Sequence, residues 1–393
     1  MTRFPFESRP GVALDPEQAA LFRRAALVPV RIRGNHPALL VTGHADVRTV
    51  LSDPRFSRQQ WHGGTMFARS PDTLALATTD PPLHTRRRRT VQAAFTHRAA
   101  EADRPWIERL AEDLLDEAAA KPGPVDLVAA YLRPLPYLVI ARIMGTPAGD
   151  VDQLVAWTDV MMSAGRCEPD EVTAATAAMH GYFRERLGTG GRREGATGAV
   201  GLLSSLAPAL SEQEIVVMAA GLVMAGGDAT ASHLSSCVHH LLHDDELRGT
   251  LVERPELIPA AVEELLRWVW FAGTGGQPHV LLADAELAGV PLPAGQVVVP
   301  LTDAANRDPA VFPDPDEFRL DRPANPHLGF GHGRHMCVGA PHARVQLRTA
   351  IGALLRRFPD LRPASEGADE WRDKMFLRGL WRLPAHLGSP VRP

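Results

Sequence analysis

One stretch constrains this chain more than any other: Phe330-Gly331-His332-Gly333-Arg334-His335-Met336-Cys337-Val338-Gly339-Ala340. It holds one cysteine among glycines. Pro341 fits the first turn of a helix, where a missing N–H costs nothing. Val345, Leu347, Ala350, Leu354 and Leu355 then recur at helical spacing until Pro359. Cys337 is therefore expected just before a helix N-terminus, where the dipole and unbonded amides favour an anion. Such a place favours a thiolate, a ligand for a soft metal. The glycines permit positive φ and close backbone approach. A lone cysteine in a glycine-rich loop also reads as an ordinary buried thiol. A phosphate cradle would want G-x-x-x-x-G-K-[ST], and no such string occurs.

Phe330, Gly331, Gly333, His335, Cys337 and Gly339 all match F-G-x-G-x-H-x-C-x-G. The stretch thereby resembles the haem-binding signature of the cytochrome P-450 family. Six fixed positions within ten residues are a specific signal. The resemblance implies haem b (iron protoporphyrin IX) with Cys337 as axial thiolate. It also implies Phe330 near the sulfur and His335 near a haem propionate.

Composition sets bounds on the rest. The 393 residues are 45% apolar, enough for a sizeable core, and the formal charge of −4 argues against nucleic-acid affinity. No 18-residue apolar run is apparent, and residues 1–24 carry charges throughout, so neither a membrane span nor a secretory signal is expected. Cys167, Cys237 and Cys337 lie far apart and form no C-x-x-C. That spacing suits a reducing cytoplasm and gives no disulfide framework or zinc motif.

Taken in order, Glu17–Ala26 reads as a helix. Val28–Ile32 and Ala38–Val41 read as strands about a turn at Gly34-Asn35-His36, and Ala45–Leu51 as a helix. Residues 57–78 read as an irregular segment, either a pocket lid carrying Met66 and Phe67 or a plain surface loop. Asp80-Pro81-Pro82-Leu83-His84-Thr85-Arg86-Arg87-Arg88-Arg89 opens a helix with four arginines. A charge run is ordinarily a solvated face. The family has a similar string here. By that resemblance His84 and Arg88, one turn apart, would bond the propionates. Arg86, Arg87 and Arg89 would face outward and steer an acidic electron-transfer partner. Residues 104–120, 134–145 and 147–163 read as helices, and 165–190 as a helix pair around a loop.

Ser211-Glu212-Gln213-Glu214 is a capping box. The apolar run behind it reaches about His243, a helix of roughly 48 Å. Its middle is Ala225-Gly226-Gly227-Asp228-Ala229-Thr230. Two glycines inside a helix cost about 1 kcal/mol each relative to Ala. Either close helix packing or a local opening of the helix must offset that cost. The family has A-G-x-[DE]-T-[TS] here, and the resemblance implies an opening beside the haem that admits dioxygen. Ala225, Gly226, Asp228 and Thr230 match. Ala229 does not: the family's threonine there helps deliver protons. Thr230 lies about 100° further round the helix. Water, a substrate group or Asp228 must then carry protons, which favours oxidative coupling over simple hydroxylation.

Glu264 and Arg267 share a helix face at i,i+3. With Arg322 they resemble the family's buried network that holds the cysteine loop. Residues 271–300 read as short strands. Gly275 and Gly276 are expected at the pocket, and His279 stands where the family often has a propionate-binding arginine. In the tail, residues 376–381 read as a strand pair with its turn at Gly379, and Phe376 is a pocket candidate.

The expected architecture is a mainly α, single cytochrome P-450 domain over residues 1–393, a monomer. Its small β-rich region comprises about 25–45, 271–300 and 375–390. Haem b would lie between the glycine-kinked helix and the Cys337 loop. The implied activity is reductive activation of dioxygen to oxidise a small organic molecule in bacterial secondary metabolism. Electrons would come from a ferredoxin or flavodoxin with its reductase. Within that family, C–C or C–N coupling of aromatic, tryptophan-cyclodipeptide-like substrates is the first expectation, and hydroxylation of a polyketide- or terpene-like substrate the second. A haem-binding scaffold or sensor without turnover is a reading of another class.

Overall fold

The computed structural model describes residues 2–6, 10–32, 35–61, 76–188, 201–206, 209–272, 276–365 and 367–391. The chain forms two compact units. One comprises Met1–Thr85 and Ala260–Val338; the other comprises Arg86–Pro259 and Gly339–Pro393.

The first unit is built on a six-stranded sheet. Its order is Thr2–Arg3, Leu27–Ile32, His36–Val41, Val297–Pro300, His279–Leu281 and Phe56–Ser57. Leu27–Ile32 and His36–Val41 form an antiparallel hairpin in which Val30 faces Ala38. Asn35 makes the turn at φ 64°, a conformation that asparagine tolerates well. Alternation along these strands sends side chains to two faces. Val30, Ala38, Leu40 and Val299 pack on one face with Phe4 and Trp61. Val41 and Val298 pack on the other with Val47, Val50 and Leu51 from the helix His44–Ser52. Those three helical residues are spaced i, i+3, i+4, the spacing of a buried stripe.

The second unit is mostly helical. It contains His97–Ala119, Pro134–Met144, Val151–Met161, Pro169–Gly188 and Ala340–Arg357. The helix pair expected over 165–190 is one helix, Pro169–Gly188: no proline lies inside it, and its interior Gly181 costs only about 1 kcal/mol. Tyr131 Oη donates to the Ala350 carbonyl at 2.9 Å, tying the residues before Pro134–Met144 to Ala340–Arg357. Residues 370–371 and 380–382 pair antiparallel, so the tail hairpin starts earlier and has a wider tip than the 376–381 reading. Phe376, inside that tip, donates its N–H to the Met162 carbonyl at 3.1 Å.

The long helix spans Glu212–Leu242. The capping box forms as expected: the Glu214 N–H donates to Ser211 Oγ, and Glu214 Oε2 accepts from the Ser211 N–H. By length and composition the helix could cross a membrane, contrary to the expectation of no such run. Yet 72% of its apolar window is buried within the protein, which is the burial of a core helix.

Candidate haem-thiolate site

In the first unit, the Cys337 loop is shaped by backbone geometry. Gly331 and Gly333 stand at φ 71° and 67°, a region costly for residues with a Cβ. A Cβ at Gly333 would also meet the Leu51 carbonyl oxygen at 2.5 Å. The Cys337 N–H donates to the Phe330 carbonyl at 2.9 Å and the Met336 N–H to Gly333 at 3.1 Å. The loop closes on itself and leaves Cys337 exposed as a thiol. Val338 ends this unit. Gly339 caps the next helix, which begins at Ala340 with Pro341 in its first turn.

Beside the loop the same unit gathers nitrogen bases. The His84 and His335 rings lie 4.2 Å apart by centroid. Burial pushes His335 well below the ordinary imidazole range, and Arg58, His84 and His279 add to that shift. His335 Nε2 is buried with no hydrogen-bond partner among the described residues. Arg58 Nε donates to His279 Nε2 at 3.0 Å, while His279 Nδ1 donates to the Gln277 carbonyl at 2.8 Å. Both ring nitrogens of His279 are therefore engaged within the protein. The carbonyl fixes its proton on Nδ1, so Nε2 is the acceptor. His279 thus orients Arg58, a residue the sequence reading passed over because it stands in an irregular segment. Burial lowers Arg58 to about 10, with Asp80 opposing. A buried cluster of nitrogen donors suits the carboxylates of a haem, and an exposed thiol in a closed loop suits its iron. The residues present therefore fit the group.

Glu264 anchors the approach to this loop. Its Oε1 accepts from Arg267 Nη2 at 2.6 Å, Arg322 Nε at 2.8 Å and the Arg319 N–H at 2.9 Å. Its Oε2 accepts from Arg267 Nε at 2.8 Å and Asn325 at 3.1 Å. Arg267 and Arg322 spend their remaining N–H groups on carbonyls of residues 306–317. The three charged side chains are brought together as expected, with Glu264 and Arg267 almost fully buried.

In the second unit, the long helix opens at Met224–Asp228 into a π turn. Such a bulge is frequent at functional sites. Both readings of the glycine pair hold at once. A Cβ at Gly226 would meet Ile140 Cδ1 at 2.9 Å, and one at Gly227 would meet Tyr137 Cδ1 at 2.7 Å, so close packing also requires glycine. From Glu214 to Val238 every residue is buried except Gly221, Ala225, Gly226 and Ala229. Gly221, Ala225 and Ala229 are spaced i, i+4, i+8 along one side, and Gly226 lies next to Ala225. Thr230 is buried and off that side. Asp228 is buried as well, with Oδ1 accepting from Arg372 Nη1 at 2.7 Å and Oδ2 without a hydrogen-bond partner among the described residues. Burial raises its carboxyl above the ordinary range, while Arg372 pulls the other way. Arg372 also donates to Ser232 Oγ and stacks 4.6 Å over the Trp381 ring.

The arginine run divides differently from the outward reading. Arg86 and Arg89 are exposed and Arg88 half-buried. Arg87 turns inward with its side chain 1% exposed, donating to Glu214 Oε1 from Nε at 3.3 Å and Nη2 at 3.2 Å; Arg86 joins the same carboxylate. Buried Glu214 supplies the reason: its charge must be paired. Of the remaining pocket candidates, Gly276 and Phe376 are half-buried, and a Cβ at Gly276 would meet the Pro300 carbonyl at 2.3 Å. Met66, Phe67 and Gly275 lie outside the described residues.

A family model described as Cytochrome P450 matches residues 250–379. The mycinamicin IV hydroxylase/epoxidase of Micromonospora griseorubida is 39% identical over 394 residues, covering 97% of each chain. The crystal structure of HinD with NMFT and NO has a TM-score of 0.90 at 39% identity, covering 98% of both chains. A solved cytochrome P450 described as having biaryl coupling reactivity has a TM-score of 0.86 at 34% identity, covering 95% of this chain and 96% of that one.

Proposed function

The chain belongs to the cytochrome P450 family, and on that premise we propose that it couples aromatic rings oxidatively in bacterial secondary metabolism. It is an enzyme of that family, carries haem b, and acts on a small organic molecule with dioxygen. A non-catalytic scaffold is set aside, since its relatives are named for oxygenation reactions.

When bound, the haem supplies reductive activation of dioxygen. Cys337 would hold its iron through the thiolate, and the loop hydrogen bond from the Cys337 N–H to the Phe330 carbonyl fixes the residue's backbone. His84, His335 and Arg58 would hold the propionates, with Arg88 one turn beyond His84 on the same helix and His279 orienting Arg58. Glu264, Arg267 and Arg322 keep the loop in register. Electrons come from a ferredoxin or flavodoxin, steered by exposed Arg86 and Arg89.

The observation that carries the coupling reading is the chemistry of the helix's less buried side. Gly221, Ala225, Gly226 and Ala229 offer no hydroxyl, Thr230 is buried, and Asp228 is pinned by Arg372. Activation of dioxygen takes up protons in either reaction, and a phenol- or indole-like substrate brings an O–H or N–H of its own where this helix offers no hydroxyl. The relative with biaryl coupling reactivity is consistent with that chemistry. Hydroxylation of a polyketide-like substrate is the second reading, favoured by the similarity to the mycinamicin IV hydroxylase/epoxidase.

Turnover with surrogate ferredoxin and reductase tests the choice. Dimeric or ring-closed products from indole and phenol substrates, without added oxygen, support coupling. Hydroxylated macrolides from the same preparation, with no coupled product, overturn it.

A further inference from the structure

At its C-terminal end the helix Ala229–Leu242 carries His239 on one turn and His243, its capping residue, on the next. The i,i+4 spacing puts both imidazoles on one face, with ring centroids 4.4 Å apart. Asp369 faces them from the residue before the strand Glu370–Trp371. Its Oδ2 lies 3.2 Å from His239 Nε2 and 2.9 Å from His243 Nε2. The three candidate ligand atoms all lie within 4.8 Å of one another. Trp371 packs edge-on against His239, at 4.9 Å between ring centroids.

We propose that His239, His243 and Asp369 bind a divalent transition-metal ion, with zinc the best fit. Zinc bonds of about 2.0–2.1 Å in a tetrahedron place ligand atoms about 3.3 Å apart. The two distances to Asp369 Oδ2 are close to that edge and the two imidazole nitrogens lie within 4.8 Å of each other, so side-chain rotations suffice to accept an ion. Two imidazoles select against magnesium and calcium, which take oxygen ligands. His243 is 38% exposed in its side chain, which gives solvent access and leaves a fourth position to water. The negative end of the helix dipole adds a favourable field for a cation. Asp369 stands three residues before Arg372, the partner of Asp228. A bound ion would therefore brace the segment that holds the helix's buried acid.

Titration of zinc chloride into the haem-loaded enzyme, followed by calorimetry, tests the site, with magnesium chloride as control. The expected result is a single saturable zinc equivalent and no magnesium binding. His243→Ala and Asp369→Asn should each weaken zinc by at least about a hundredfold, more than loss of an outer-shell partner costs. An unchanged haem spectrum certifies each variant's fold. No saturable binding, or binding of parental strength in both variants, overturns the proposal. Should a variant lose its haem, anomalous diffraction at the zinc edge from soaked parent crystals decides. A peak bonded to the two histidines and Asp369 supports the site, and a peak elsewhere or none refutes it.

Discussion

Arg372 binds Asp228 across 144 residues of sequence, Nη1 to Oδ1 at 2.7 Å, with both side chains almost wholly buried. The acid beside the π turn is thus held by the tail hairpin, and one of its oxygens has no hydrogen-bond partner among the described residues.

Arg372→Ala should destabilise the protein by about 3–5 kcal/mol at neutral pH, the cost of leaving a buried charge alone. Burial raises the Asp228 carboxyl, so the native state holds this proton more tightly than the unfolded chain. Its stability contribution is complete below the ordinary carboxylate range and is lost as pH rises through the raised value. The deficit of the variant should therefore shrink toward about pH 4, and adding Asp228→Asn should recover much of it. Urea midpoints measured against pH check both; a deficit independent of pH and of Asp228→Asn contradicts the pairing.

Ala229→Thr adds a hydroxyl to the helix's less buried side, which has none. The fraction of consumed NADPH that ends in hydroxylated product should rise, and coupled product should not. Product and peroxide assayed together measure this. Unchanged partition would mean that the missing hydroxyl is irrelevant to proton delivery.

Glu264→Ala leaves Arg267 and Arg322 without their shared carboxylate. A loss of about 3–5 kcal/mol is expected, with haem retained poorly because the cysteine loop loses its anchor. Glu264→Gln, which keeps the acceptor oxygen, should do better than alanine. Haem content after gel filtration reports the difference, and equal haem content in all three proteins would deny the network its role.

Burial depresses His335 and His279 in the structure. Each is neutral when folded and protonates first in the unfolded chain. Haem-free protein should hold its stability above an ordinary imidazole pKa of about 6.5 and lose it as pH falls below, by about 1.4 kcal/mol per pH unit for each such histidine. His335→Gln should flatten that slope. Denaturation midpoints between neutral and mildly acidic pH measure it, and an identical slope in parent and variant counts against a neutral buried His335.

Much of this site was legible because its residues act locally in sequence. The Cys337 loop, the capping box at Ser211 and the Glu264–Arg267 pair are each set by spacings of a few residues, and each forms as read. Arg58 and Arg372 were missed for the opposite reason. Their partners His279 and Asp228 lie 221 and 144 residues away, and an arginine near a strand reads as solvent-facing until the fold buries it. Arg87 was misread as outward because nothing nearby announces that Glu214, a capping residue, would also be buried and need a cation. The π turn sits between these cases. The glycine pair marked a departure from the α-helix, but only Ile140 and Tyr137, brought up by packing, explain why both positions must be glycine.

The central claim is that Cys337 is the thiolate on the haem iron. The direct measurement is the reduced carbon-monoxide difference spectrum of haem-loaded Cys337→Ser beside its parent. The parent should give the red-shifted Soret band of a thiolate-ligated haem, and the variant should lose it while keeping its fold. A variant spectrum identical to the parent's would contradict the account.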